Sequence, residues 1–140
     1  MRSTRLLIDA NVLLDVLMKR EPFYKDSAIV WKLCETGISE GVVSALTFTD
    51  IVYVMRKELS PERIHDTLRK LSMIFRFDDL KAEDLENAAK LCWEDYEDAL
   101  QYEAAVRNNV DYIITRNAKD YSRGKIDVRT PEEFLAEYQV

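Results

Sequence analysis

Apolar residues near the start of the chain come three in a row, Leu6-Leu7-Ile8, and then at helical spacing, Val12, Leu13, Val16 and Leu17. An unbroken apolar triplet predicts a short strand buried on both faces, so the chain turns from strand to helix within two residues of Asp9. The helix is expected to run to about Arg20, with Pro22 marking a loop. A second helix is predicted from about Tyr24 to Thr36, on Ala28, Ile29, Trp31, Leu33 and Cys34, with Gly37 at its C-terminal cap. Gly41-Val42-Val43-Ser44 reads as a brief strand. Phe48, Ile51, Val52 and Met55 then predict a helix from Thr47 to about Leu59.

Ser60-Pro61-Glu62-Arg63 is a helix start, a capping serine before a proline, and that helix is expected to reach about Leu71. Met73 to Phe77 reads as a strand and Ala82 to Trp93 as a helix. A turn at Glu94 and Asp95 leads to another helix from about Tyr96 to Asn108. Asp111-Tyr112-Ile113-Ile114-Thr115 is a second buried strand, followed by a loop from Arg116 to Lys125. Ile126-Asp127-Val128 reads as a short strand, and Thr130-Pro131-Glu132-Glu133 opens the last helix. Strands alternating with helices predict a three-layer α/β/α fold around a central parallel sheet of four to five strands.

The composition narrows the chemistry. With 140 residues, 47% of them apolar, and three glycines and three prolines, residues 1–140 read as one domain without a linker. Cys34 and Cys92 have no further Cys or His at zinc spacing, and His65 is the single histidine. A zinc site and a histidine-based triad are therefore poor readings. No eighteen-residue apolar run or signal-peptide pattern is visible, so a cytoplasmic protein without a membrane span is expected. The net charge of −6 disfavours nucleic-acid binding through bulk charge. Carboxylates that hold a divalent cation would reverse that field locally.

Which acids lie where chemistry is possible? Asp9 is expected at the carboxyl end of a central strand, where open parallel sheets place their ligands. Asn11 is a candidate helix cap, and its amide can also fix the turn or the Asp9 carboxylate. Asp50, Asp95, Asp98 and the pair Asn117 and Asp120 lie near helix starts or just after a strand. Each also has a plain structural reading. Asp95 and Asp98 have capping-box spacing, Asp50 can sit at the edge of an apolar stripe, and Asn117 can form a turn. Asp15, four residues before Lys19, reads as a surface ion pair. Acids without His or Cys suit a hard cation, Mg²⁺ or Mn²⁺, which serves phosphodiester hydrolysis well.

The motifs Leu7-Ile8-Asp9-Ala10-Asn11-Val12-Leu13-Leu14-Asp15, Ser44-Ala45-Leu46-Thr47 leading to Asp50, Glu97-Asp98-Ala99-Leu100-Gln101, and Asp111 to Asn117 with Asp120 together resemble the PIN domain. Within that family they are most similar to the VapC-type ribonuclease toxins of prokaryotic toxin–antitoxin modules. The resemblance covers nearly the whole chain. It implies Asp9 and Asp98 as principal metal ligands, Asp50 at the second acidic position, and Asn117 or Asp120 at the fourth, with Asn11 and Asp95 in support. It further implies Mg²⁺- or Mn²⁺-dependent endonucleolytic cleavage of RNA, a homodimer, and inhibition by a small antitoxin protein. Asp50 stands where the family usually has Glu, and Asn117 where many relatives have Asp. Arg116 and Lys119, with Arg123 and Lys125 beyond them, are candidates for contact with the RNA backbone. Alternatives within the fold are a nuclease of RNA processing or DNA repair without an antitoxin, and an inactive binding module. A phosphoacceptor domain is a different class, and it expects paired acids after the first strand that this chain lacks.

Overall fold

The computed structural model describes residues 3–138. Five strands, β1 (Thr4–Ile8), β2 (Ser39–Ser44), β3 (Arg76–Asp78), β4 (Tyr112–Ile114) and β5 (Asp127–Arg129), form one sheet. Their order is β3-β2-β1-β4-β5 and every pairing is parallel, so β1 is central. Helices α1 (Ala10–Leu17), α2 (Tyr24–Glu35), α3 (Ala45–Met55), α4 (Pro61–Ile74), α5 (Ala82–Leu91), α6 (Tyr96–Arg107) and α7 (Pro131–Tyr138) connect and flank the strands.

The apolar triplet in β1 explains the three layers. Successive side chains of a strand point to opposite faces, so Leu6 and Ile8 face one way and Leu7 the other. Leu6 and Ile8 join Val12 and Leu13 of α1, Val30 of α2, Ile51 of α3, Ile64 of α4 and Phe134 of α7 in one core. Leu7 joins Val42, Ile113, Tyr121, and Tyr102 and Ala105 of α6 in another. All three β1 residues are at most 1% exposed, as a strand covered on both sides requires.

The predicted strand from Met73 to Phe77 is replaced at its start by helix, because α4 continues to Ile74. Leu71 and Phe75, four residues apart, are both buried, while Met73 points outward at 86% exposure. A mostly apolar segment, interrupted by Arg76, is thus split between a helix end and a three-residue strand. The segment after β4 contains a 3-10 helix, Ala118–Tyr121, where a plain loop was expected. Tyr121 is buried beneath it, and the Tyr102 hydroxyl accepts a hydrogen bond from the Lys125 amide at 2.9 Å. Gly124 sits where any Cβ would collide with the Tyr102 ring.

Arg107, at the end of α6, ties three elements together. Its Nη atoms donate to both Asp78 oxygens at 2.9 and 2.6 Å, and its Nε donates to Asp84 at 3.0 Å. Asp78 ends β3 and Asp84 opens α5, so a nearly buried three-charge clasp holds the α5–α6 pair to the sheet edge. Among the described residues, no helix is long and apolar enough to cross a membrane.

Candidate active site at the carboxyl edge of the sheet

Asp9 sits where β1 becomes α1. Its amide still belongs to the sheet, donating to the Ile114 carbonyl at 3.0 Å, while its carboxylate caps the helix. Oδ1 accepts from the Ala10 amide at 2.7 Å and Oδ2 from Thr115 Oγ1 at 2.8 Å. The cap is therefore Asp9, whereas Asn11 bridges chain segments. Asn11 Nδ2 donates to Thr115 Oγ1 at 3.2 Å, and its Oδ1 accepts from the Arg116 amide at 3.2 Å. The fully buried Thr115 also receives the Asn117 amide at 3.1 Å. One hydroxyl thus fixes the Asp9 carboxylate and the chain leaving β4. Sequence reading assigned Thr115 no role, although a Thr ending a buried strand beside the acid-bearing one was the available signal.

Asp98 lies in the first turn of α6, opened by Asp95, whose Oδ1 accepts from the Asp98 amide at 3.1 Å. The capping reading therefore holds for Asp95, and it leaves the Asp98 carboxylate available. Asp50 is an exposed residue of α3. Helices α3 and α6 are braced by a buried polar chain, Ser44 Oγ donating to Gln101 Oε1 at 2.8 Å and Gln101 Nε2 to Thr47 Oγ1 at 3.3 Å.

These acids feel one another. Burial first, and then Asp95, Asp120, Asp9 and Glu97, push the Asp98 carboxyl up to about 7. Asp9 is raised first by burial and then by Asp120, against the lowering effect of Thr115 and Ala10. Asp50 is raised by desolvation and then by Glu97 and Asp9. The buried Tyr121 phenol is raised by burial and then by Asp9, Asp98, Asp120 and Asp95. Glu97, passed over in the sequence, belongs to this cluster.

Among the described residues, no Lys or Arg lies within ion-pair distance of Asp9, Asp50, Asp95, Glu97, Asp98 or Asp120. Nor do three His, Cys, Asp or Glu side chains converge as a ready-made metal cage among those residues. The donors nevertheless fit a hydrated hard cation. Mg²⁺ keeps several waters and takes one or two carboxylates directly, and an uncompensated cluster of oxygens is what such an ion neutralises.

Asp98, Asp95 and Asp120 line a cleft of about 780 Å³ together with Lys119 and Arg123, and Asp9 and Asp50 are not among its lining residues. Asn117, exposed, precedes the 3-10 helix that carries Asp120. The expectation for Asp15 is corrected. It is fully buried and pairs with Arg116, Nε to Oδ2 at 3.0 Å, not with Lys19, and Ser27 Oγ also donates to it at 3.2 Å. The Arg116 guanidinium lies 4.0 Å from the Phe23 ring centroid, so a side chain expected to be available to RNA serves as a core tie instead.

Residues 5–119 match the family model described as the PIN domain. No curated protein matches the chain. Solved structures share its fold. The VapBC-1 complex of nontypeable Haemophilus influenzae superposes with a TM-score of 0.71 at 15% identity, over 92% of this chain and 99% of that one. VapC20 of Mycobacterium tuberculosis, a sarcin-ricin loop cleaving toxin, gives 0.70 at 11% identity, over 89% and 98%. A toxin–antitoxin complex from Klebsiella pneumoniae gives 0.69 at 23% identity, over 90% and 97%.

Proposed function

The chain belongs to the PIN domain family, and from that premise we propose that it is a divalent-metal-dependent endoribonuclease, the toxin of a toxin–antitoxin pair. The observation that carries this reading is the gathering of Asp9, Asp50, Asp98 and Asp120, from separate parts of the chain, at one sheet edge without a paired cation. Asp9 and Asp98 would hold Mg²⁺ or Mn²⁺, with Asp120 and Asp50 beside them. The ion would supply Lewis acidity toward the phosphodiester oxygens and make a nearby water easier to deprotonate.

The chain's own residues do the rest. Thr115 and Asn11 hold the Asp9 oxygens in place, so little freedom is lost when a ligand arrives. Asp95 fixes the first turn of α6 and thereby aims Asp98. Asp50, exposed and free of a cationic partner among the described residues, orients the attacking water and accepts its proton. Lys119, in the lining of the cleft, offsets phosphate charge.

The antitoxin rests on the toxin–antitoxin complexes that share the fold, and the pairing of two copies on the surface. Tyr53 of α3 and Met73 of α4 are 55% and 86% exposed, apolar area that a protein partner would cover. The expected place of action is the cytoplasm, where the RNA is.

The test compares wild type with Asp9→Asn and Asp98→Asn on structured RNA, with Mg²⁺ or Mn²⁺ and with chelator. Cleavage by wild type alone, abolished by chelator, is the expected result. Equal cleavage by all three proteins, or cleavage indifferent to chelator, would overturn the reading.

A further inference from the structure

Neither the fold nor the acidic cluster calls for a charge at Asp15, which lies on α1 with no exposed surface. Its Oδ2 faces Arg116 Nε at 3.0 Å and receives the Ser27 hydroxyl of α2 at 3.2 Å. Among the described residues, Asp15 Oδ1 and Arg116 Nε both lack an aligned hydrogen-bond partner. Carrying two ions out of water costs free energy that an incompletely satisfied pair recovers poorly, so apolar residues of similar shape would stabilise this place as well or better. Stability therefore does not account for the pair.

What the pair supplies is position. Arg116 stands between Thr115, whose hydroxyl donates to Asp9 Oδ2, and Asn117, which precedes the 3-10 turn that carries Asp120. Its own amide donates to Asn11 Oδ1 at 3.2 Å, and the Asp120 amide donates to the Asn117 carbonyl at 3.0 Å. Where Arg116 sits thus sets where the turn begins. Its guanidinium rests on the Phe23 ring, yet Arg116, Phe23 and Ser27 also line a cavity of about 240 Å³, so close packing alone does not locate it. A fixed opposite charge does.

We propose that Asp15 and Arg116 are positioning residues: the buried carboxylate of α1 anchors Arg116 and so fixes the turn Ala118–Tyr121 that presents Asp120 to the acidic cluster. This rests on the metal-dependent reading for the use made of Asp120. It adds two charges that touch neither ion nor RNA and act through the backbone between Thr115 and Asp120.

The test replaces the pair instead of breaking it, because one partner left alone is an unpaired buried charge. Asp15→Leu with Arg116→Met copies the branching of one side chain and the length of the other. Asp15→Asn with Arg116→Gln keeps polar groups and removes both charges. Each protein is followed by thermal unfolding, by amide hydrogen exchange without metal, and by Mn²⁺ titration read from the paramagnetic resonance of the ion. The apolar pair should melt at or above the wild-type temperature. Its Asp120 and Ser122 amides, both hydrogen-bonded within the turn, should nevertheless exchange about tenfold faster. Its Mn²⁺ affinity should fall about tenfold, and the neutral polar pair should show the same two losses. Melting of both pairs well below wild type would mean that the charges hold up the fold, and it overturns the proposal. Unchanged exchange or unchanged Mn²⁺ affinity in the apolar pair overturns it too. If the wild type itself binds no Mn²⁺, the metal reading falls, and the exchange rates alone decide whether the pair fixes the turn.

Discussion

Replacing Asp98 with Asn should stabilise the metal-free protein, although Asp98 is assigned to its working centre. In the folded chain the carboxyl is pushed up to about 7 from an ordinary value of 3.8, by burial and then by neighbouring acids. Such a group binds more protons folded than unfolded. The stability it allows is fully present below pH 4 and is lost as pH rises through 7. The gap corresponds to about 4 kcal/mol at pH 8. Solvent screening at this partly exposed rim reduces it to roughly 2 kcal/mol. The Asp98 charge also favours the N-terminus of α6, by up to about 1 kcal/mol, so Asn should gain a net 1–2 kcal/mol, or roughly 3–7 °C in Tm. Thermal unfolding in chelator at pH 8, 6 and 4 measures this directly. The advantage of Asp98→Asn should be largest at pH 8 and absent at pH 4, and Mg²⁺ should raise the Tm of wild type past that of the variant. A variant less stable than wild type at pH 8 in chelator would refute the picture of uncompensated, crowded carboxylates.

Thr115→Val keeps the shape but removes the hydroxyl between Asp9, Asn11 and the Asn117 amide, and should cost about 2–3 kcal/mol by urea denaturation. It also removes a contact that lowers the Asp9 pKa, so the acid limb of the pH–activity profile should move to higher pH. Arg107→Met leaves Asp78 and Asp84 buried without their cation and should cost about 3–5 kcal/mol by the same measurement, an effect far from the acidic cluster. Gly124→Ala pushes a methyl into the Tyr102 ring and should cost about 1–3 kcal/mol.

Most of the frame was legible because its signals are local. Leu6-Leu7-Ile8 before Asp9 could only be a doubly covered strand, and Asp111 to Thr115 repeats the pattern, so the two central strands and the carboxylate between them followed from spacing. Capping chemistry was equally readable. Thr130 and Glu133 do exchange side-chain to backbone hydrogen bonds, and Ser60 accepts from the Arg63 amide. What failed depended on partners distant in sequence. Asp15 has a cation four residues away, which made Lys19 the natural partner, but folding brings Arg116 to the buried side of α1. Met73 to Phe77 is apolar except for Arg76, and nothing local reveals that Met73 faces solvent at the end of a helix. Asp9, Asp50, Asp98 and Asp120 stand out in the sequence as acids near strand ends and helix starts, whereas Thr115, which holds Asp9, and Gln101, which braces α3 against α6, are ordinary polar residues whose roles exist only once β4 lies beside β1 and α3 beside α6.

The central claim is that Asp9 and Asp98, from distant parts of the chain, share a divalent cation. Titrating Mn²⁺ into the RNA-free protein, and following bound ion by its electron paramagnetic resonance signal, tests it without reference to turnover. Wild type should bind Mn²⁺ saturably, with Mg²⁺ competing, and both Asp9→Asn and Asp98→Asn should each weaken that binding about tenfold or more. Mn²⁺ binding unchanged in either variant would contradict the account.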